Sequence, residues 1–187
     1  MLHTTLFYQL FLISFMINFN FENFKKTLKN LTKDIFISIN SNEVCGFCLF
    51  SDAGAMSLSA GFNTRSYLEN NWKKDPENKE YYRWYAGEWF DDGIPNDELD
   101  NLSWKLFNAE YSDDFAKHKN QFFNTIVNVL KELNNEGFFN SKGDDFVLVF
   151  CVTDPDDEDE DNELKWMKEL NNKVIFKEYE NWAQKEY

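Results

Sequence analysis

Residues 43–52 read EVCGFCLFSD, and the fold turns on whether Cys45-Gly46-Phe47-Cys48 is a redox or metal-binding C-x-x-C or part of a β-strand. In a strand each residue advances about 3.3 Å and side chains alternate between faces, which sets Cys45 and Cys48 about 10 Å apart on opposite sides. A disulfide needs Cα atoms within about 7 Å, so a strand leaves the pair unable to bridge or to share a zinc ion. A reactive C-x-x-C instead opens a helix, whose dipole lowers the thiol pKa. Here Leu49-Phe50 and then Ser51-Asp52-Ala53-Gly54 follow, which breaks a helix rather than starting one. The strand is the preferred reading. Cys151, in a second apolar run, reads as a small buried hydrophobe.

Working outward, Ile35–Ile39 is a second β-prone run, and the turn formers Asn40-Ser41-Asn42-Glu43 between the two predict a hairpin. Upstream, Phe21, Phe24, Leu28 and Leu31 fall at helical spacing within residues 20–33. A third strand is expected at Met56–Ala60 after a flexible stretch at residues 52–55. Asn63-Thr64 offers cap residues for a helix over Arg65–Lys74, which the turn around Pro76 ends. The aromatic block Tyr81-Tyr82-Arg83-Trp84-Tyr85-Ala86-Gly87-Glu88-Trp89 reads as a strand or extended segment. Helices are predicted over Asp97–Glu110 and Asp113–Glu136, the second capped by Ser112 and closed by Gly137. Asp145–Thr153 reads as a central strand covered on both faces, followed by the acidic tract Asp154–Glu163 as a loop, a helix over Glu163–Asn171 and a closing segment at Val174–Phe176. No repeat or linker divides the chain. The expectation is a single α+β domain over residues 16–187, with a central antiparallel or mixed β-sheet flanked by helices.

Composition narrows the function. Apolar residues make up 43% of the 187 and 20 are Phe, which excludes intrinsic disorder. A net charge of −14 repels nucleic acid and anionic membranes and attracts basic proteins, so neither nucleic acid nor membrane is an expected partner. Three cysteines do not form a disulfide framework and suit a reducing cytoplasm. The apolar run Leu6–Met16 has the length of a signal-peptide core, but no Lys or Arg precedes it and no small-residue cleavage site follows. Residues 1–15 are therefore read as a leader or upstream extension, with export through residues 1–16 as the alternative.

No catalytic constellation emerges. His3 and His118 are the only histidines, too few and too badly spaced for a zinc site or a Ser/His/Asp mechanism, and Ala116-Lys117-His118-Lys119 looks like a solvated helix face. The acidic tract lacks the central Gly and twelfth-position Glu of a calcium loop, so neither metal nor cofactor is expected. Two clusters remain as candidate partner-binding residues. Asp156, Asp157, Glu158 and Asp159 would steer a basic partner. Arg83, Trp84, Glu88 and Trp89 have the side chains of interface anchors, although a core strand accounts for them as well. An aromatic floor of Trp84 and Trp89 beside Glu88 and Asp91 would also suit a carbohydrate-active enzyme, provided the floor is an open cleft.

Several of these features, taken in order, resemble the bacterial domain-of-unknown-function family 4303. They are Phe47-Cys48-Leu49-Phe50-Ser51-Asp52, the Asn63-Thr64 pair, Tyr82-Arg83-Trp84 to Glu88-Trp89, and the apolar strand running into Thr153-Asp154. The resemblance spans about residues 20–177; it implies a small cytosolic α+β protein without an assigned activity, similar in character to immunity proteins that neutralise toxins. The expectation is an acidic, non-catalytic cytoplasmic binding protein of that type, acting on a basic toxin domain.

Overall fold

The computed structural model describes residues 19–108 and 114–186; the apolar leader at residues 1–15 and the cap expected at Ser112 lie outside the described residues. Asn20 caps α1 (Phe21–Ser38) by accepting the Asn23 N–H at 3.0 Å. Phe24, Leu28, Leu31, Ile35 and Phe36 then form one buried stripe, as a 3.6-residue period dictates. The hairpin expected from Ile35–Ile39 does not form, because that run continues the stripe. A strand would set Ile35 and Ile37 on one face, whereas the helix buries Ile35 and leaves Ile37 70% exposed. Burying an Ile or Phe stabilises by about 1.5–3 kcal/mol, against a β-branched helix penalty of at most about 0.7 kcal/mol per residue.

The sheet is mixed, in the order β2-β1-β3. The central strand is β1 (Val44–Asp52), which carries Cys45 and Cys48 as free buried thiols. It pairs antiparallel with β2 (Ser59–Thr64) and parallel with β3 (Val147–Thr153). Between β1 and β2 the Asp52 carboxylate accepts from the Met56 N–H at 3.3 Å and from the Ser57 hydroxyl. The stretch expected to be flexible is thus a tied turn, and β2 starts three residues later than the sequence suggested.

The apolar run in β3 is covered on both faces but stands at an edge rather than in the centre. There Leu148 N–H donates to Asn171 Oδ1 at 2.9 Å, while Asn171 Nδ2 donates to Leu148 O at 2.7 Å, so a side-chain amide stands in for a neighbouring peptide. At the other edge Phe62 and Asp91 exchange backbone bonds of 2.8 and 3.1 Å, and Ile94 N–H reaches Ala60 O at 2.8 Å. A Cβ on Gly61 would sit 2.5 Å from the Asp91 carbonyl oxygen. Gly61→Ala is accordingly expected to lower stability by about 1–3 kcal/mol; an unchanged urea midpoint would show that the segment around Asp91 is not held against β2.

Thr64 caps α2 (Arg65–Lys74) by accepting from Tyr67 N–H. The aromatic block forms α3 (Lys79–Trp84) and a 3-10 turn, Ala86–Glu88, in place of the expected strand. Tyr81 and Tyr85 stack at 5.1 Å, the contact made by side chains four apart on a helix. Beyond it come α4 (Asp97–Phe107), α5 (Phe115–Asn135), α6 (Asp157–Leu170) and α7 (Lys173–Glu186). Gly137 adopts φ 77° after α5, with Gly137 N–H on Asn134 O and Phe138 N–H on Leu133 O, a Schellman ending.

Phe47, Leu49, Leu148 and Phe150 face α1, α4 and α5, while Cys48, Phe50, Val147 and Val149 face Trp84, Trp89, Tyr179 and Trp182. The α6 helix serves both cores, sending Trp166 and Leu170 to the first and Met167 to the second. His118, expected on a solvated face, is buried against the rings of Phe19, Phe21 and Phe122. It shares the inward stripe of α5 with Phe122, Ile126 and Leu133, and burial lowers its pKa.

Candidate functional site

The parallel strands β1 and β3 end side by side, Asp52 opposite Thr153, and the carboxyl end of a parallel pair is where α/β folds open crevices. Thr153 Oγ1 donates to Ser51 O at 3.4 Å. The chain then leaves β3 through Asp154 at φ 51°, in the left-handed region, and Asp156 caps α6. Beside this exit, against the second face of the sheet, lies a cavity of about 220 Å³. Its walls include Trp84, Tyr85, Cys151, Glu163, Tyr179 and Trp182. The aromatic wall is continuous: Tyr179 meets Trp84 edge-on at 5.7 Å and Trp182 at 5.6 Å.

Glu163 is the titratable centre of this cavity. It is half-buried, lining the cavity on one side and a shallow groove between α6 and α7 on the other. Burial pushes its carboxyl up to about 7, with Glu160 and Asp159 adding to the shift and the hydrogen bond with Cys151 opposing it. Burial also raises the Cys151 thiol, so that thiol stays protonated and unreactive at neutral pH. The folded state of Glu163 binds a proton over a range where the unfolded carboxyl has already released it. Its contribution to stability therefore falls as pH rises from about 4.5 to 7. Glu163→Gln is expected to match the wild type near pH 4 and to exceed its stability at pH 8 by about 1–3 kcal/mol. A difference in urea midpoint that does not change with pH would contradict the burial of this carboxyl.

The residues singled out in the sequence fall in two separate places. Arg83 lies over the Trp84 ring at 4.7 Å and pairs with Glu178 at 3.2 Å. The Trp89 indole N–H donates to Arg83 O at 3.3 Å, and Asn63 Nδ2 donates to Tyr82 O at 3.2 Å. Trp84 and Trp89 are each only 4% exposed, Glu88 points outward from its turn, and Asp91 is occupied at the edge of β2. Trp84 and Trp89 therefore form no open floor beside Glu88 and Asp91, and the cavity that Trp84 does line includes none of Glu88, Trp89 and Asp91.

The acidic tract is the start of α6 rather than a loop. Asp156 accepts from Asp159 N–H at 2.9 Å, and the Asp159 carboxylate returns to Asp156 N–H at 3.3 Å. Lys119 of α5 donates to Asp156 at 2.7 Å and to Asp159 at 2.8 Å. Asp159, 2% exposed, is thus an internal charge rather than a steering one. Asp157 is the first residue of the helix, and Glu158 is exposed, as are Glu160 and Asp161. The residues missed were Glu163, Tyr179 and Trp182. Glu163 carried a readable signal, since Asp159, Glu163 and Met167 recur every four residues and so share one helix face.

Among the described residues no group of three or more His, Cys, Asp or Glu is placed to hold a metal ion, and no helix is long and apolar enough to cross a membrane. These observations define a single α+β domain whose mixed three-stranded sheet carries an aromatic cavity on one face. The chain belongs to the family of the domain of unknown function DUF4303, whose model matches residues 24–172. No curated protein and no solved structure matches it. The matched residues include all three strands and end before α7, so Tyr179 and Trp182 come from beyond them.

Proposed function

We propose that the protein is a non-catalytic cytoplasmic binding protein of the immunity type, which neutralises a basic toxin domain by covering it. The observation that carries this reading is the charge: −14 over the chain, with Glu158, Glu160 and Asp161 exposed along the first turns of α6. Among the described residues no Lys or Arg pairs with those three, whereas Asp156 and Asp159 are taken up by Lys119. Unpaired surface charge of one sign raises the encounter rate with an oppositely charged partner and adds specificity.

The test is capture of host and competitor proteins on the wild type and on the triple variant Glu158→Lys, Glu160→Lys, Asp161→Lys, with an unrelated basic protein as control. Expected is a basic partner retained in equimolar amount by the wild type, lost from the variant, and weakened as the Debye length shrinks from about 10 Å at 0.1 M salt to about 3 Å at 1 M. Equal retention by the variant, or equal retention of the control protein, would refute the reading.

A further inference from the structure

We propose that the cavity between the sheet and α7 binds a small organic cation of the alkylammonium class, held by the rings of Trp84, Tyr179 and Trp182 with the Glu163 carboxylate as counter-ion. The inference does not rest on the partner surface described above.

The walls decide the sign of the ligand. Aromatic faces carry the negative part of the ring quadrupole and attract ammonium groups, most strongly where water is excluded. Glu163 and Asp154 both line the cavity, so an anion would meet carboxylates in a poorly solvated space. A neutral apolar ligand would desolvate Glu163 further and return nothing. Arg83 rests over the Trp84 ring in its pair with Glu178 and lines a different groove. The approach is acidic as well: Glu160 and Asp161 line the groove between α6 and α7, which shares Glu163 and Tyr179 with the cavity, while Glu180 on its α7 side is paired with Lys177 at 2.7 Å. At about 220 Å³ the space falls below the roughly 300–1,000 Å³ of drug-sized pockets, which suits a head group or the end of one side chain.

Proton coupling follows from the same geometry. Among the described residues, the groups around Glu163 are Asp159, Glu160 and Asp161 on its own helix, Cys151 and Asp154 from β3 and its exit, Tyr179 and Glu180 from α7, and Tyr85 after α3; none of these is a cation, and Lys177 is engaged by Glu180. A bound ammonium supplies the missing positive charge, favours the ionised carboxylate and releases its proton. Affinity therefore rises with pH through the range in which free Glu163 titrates.

The cation is either a free quaternary ammonium or a lysine side chain presented by a protein, and two probes separate these sources. Choline and Nα-acetyl-lysine methylamide are titrated into the full chain at pH 6 and pH 8, followed by tryptophan fluorescence and calorimetry. Sodium chloride controls for ionic strength, and 3,3-dimethylbutan-1-ol serves as the neutral isostere of choline. Expected is saturable binding of at least one ammonium probe, at least about ten-fold tighter than the isostere and about ten-fold tighter at pH 8 than at pH 6. Glu163→Gln should lose about ten-fold in affinity at pH 8 and the pH dependence with it. Choline binding assigns a free cation, and binding of the lysine derivative alone assigns a protein-borne one. The proposal is overturned if neither probe saturates beyond the salt control, or if the isostere binds the wild type as well as choline does.

Discussion

Trp89→Ala is expected to cost the fold about 3–5 kcal/mol, the usual loss for deleting a buried Trp. The outer edge of its six-membered ring abuts β1, where a Cβ on Gly46 would come within 2.8 Å of it, so strand and ring approach each other only because residue 46 has no side chain. The indole N–H is also bonded to Arg83 O, and its removal leaves that carbonyl short of a donor. Trp89 thus pins the turn after α3 to the centre of the sheet and holds Trp84 where it walls the cavity. Urea denaturation measures the loss. Tyr85→Ala, at a position 48% exposed, serves as the contrast and should stay within about 1 kcal/mol. A Trp89→Ala cost as small as that of Tyr85→Ala would mean that the aromatic block is surface.

The second large effect is expected at Lys119. Its side chain is 12% exposed, and its ammonium bridges the cap residue of α6 and the buried Asp159. Lys119→Met keeps an unbranched apolar chain at this position but removes the ammonium that sits 5.6 Å over the Phe123 ring, and among the described residues leaves the interior Asp159 carboxylate with the Asp156 N–H alone. Removing one partner of a buried pair costs about 3–5 kcal/mol, mostly as the penalty on the charge left behind. About 3 kcal/mol is expected here, because that N–H still donates. The double variant Lys119→Met, Asp159→Leu should recover part of the loss, since a buried pair replaced by apolar groups of similar size is often neutral. A single-variant cost below about 1 kcal/mol would show that Asp159 is solvated in solution.

Lys119 also illustrates what the sequence hides. The acidic run looked like a solvated loop because its charges were counted as a block. The capping box at Asp156 and Asp159 uses Asp where the familiar pattern has Ser or Thr followed by Glu or Gln, and its cation comes from another helix 37 residues away. The aromatic block misled differently: Tyr82 and Trp84 alternate like a strand, Tyr81 and Tyr85 recur like a helix, and packing chose the second. At Ile35–Ile39 the local β-preference was strong, but the stripe begun at Phe24 continued through it. By contrast, β1, β3, the Thr64 cap and the Gly137 ending were legible because each rests on chemistry within a few residues. The cavity was not, since Cys151, Glu163 and Tyr179 meet only once β3, α6 and α7 have packed.

The amide of Asn171 has a consequence for how this protein meets others. An extended segment of another chain, arriving at β3, finds the outward peptide group of Leu148 already satisfied, and at β2 the backbone at Asp91 and Ile94 has claimed Ala60 and Phe62. At those positions neither flank can template strand addition, the contact through which exposed edges seed fibrils and dock foreign peptides. A β-strand mimic is thereby denied any register that pairs through Leu148 on one flank or through Ala60 and Phe62 on the other.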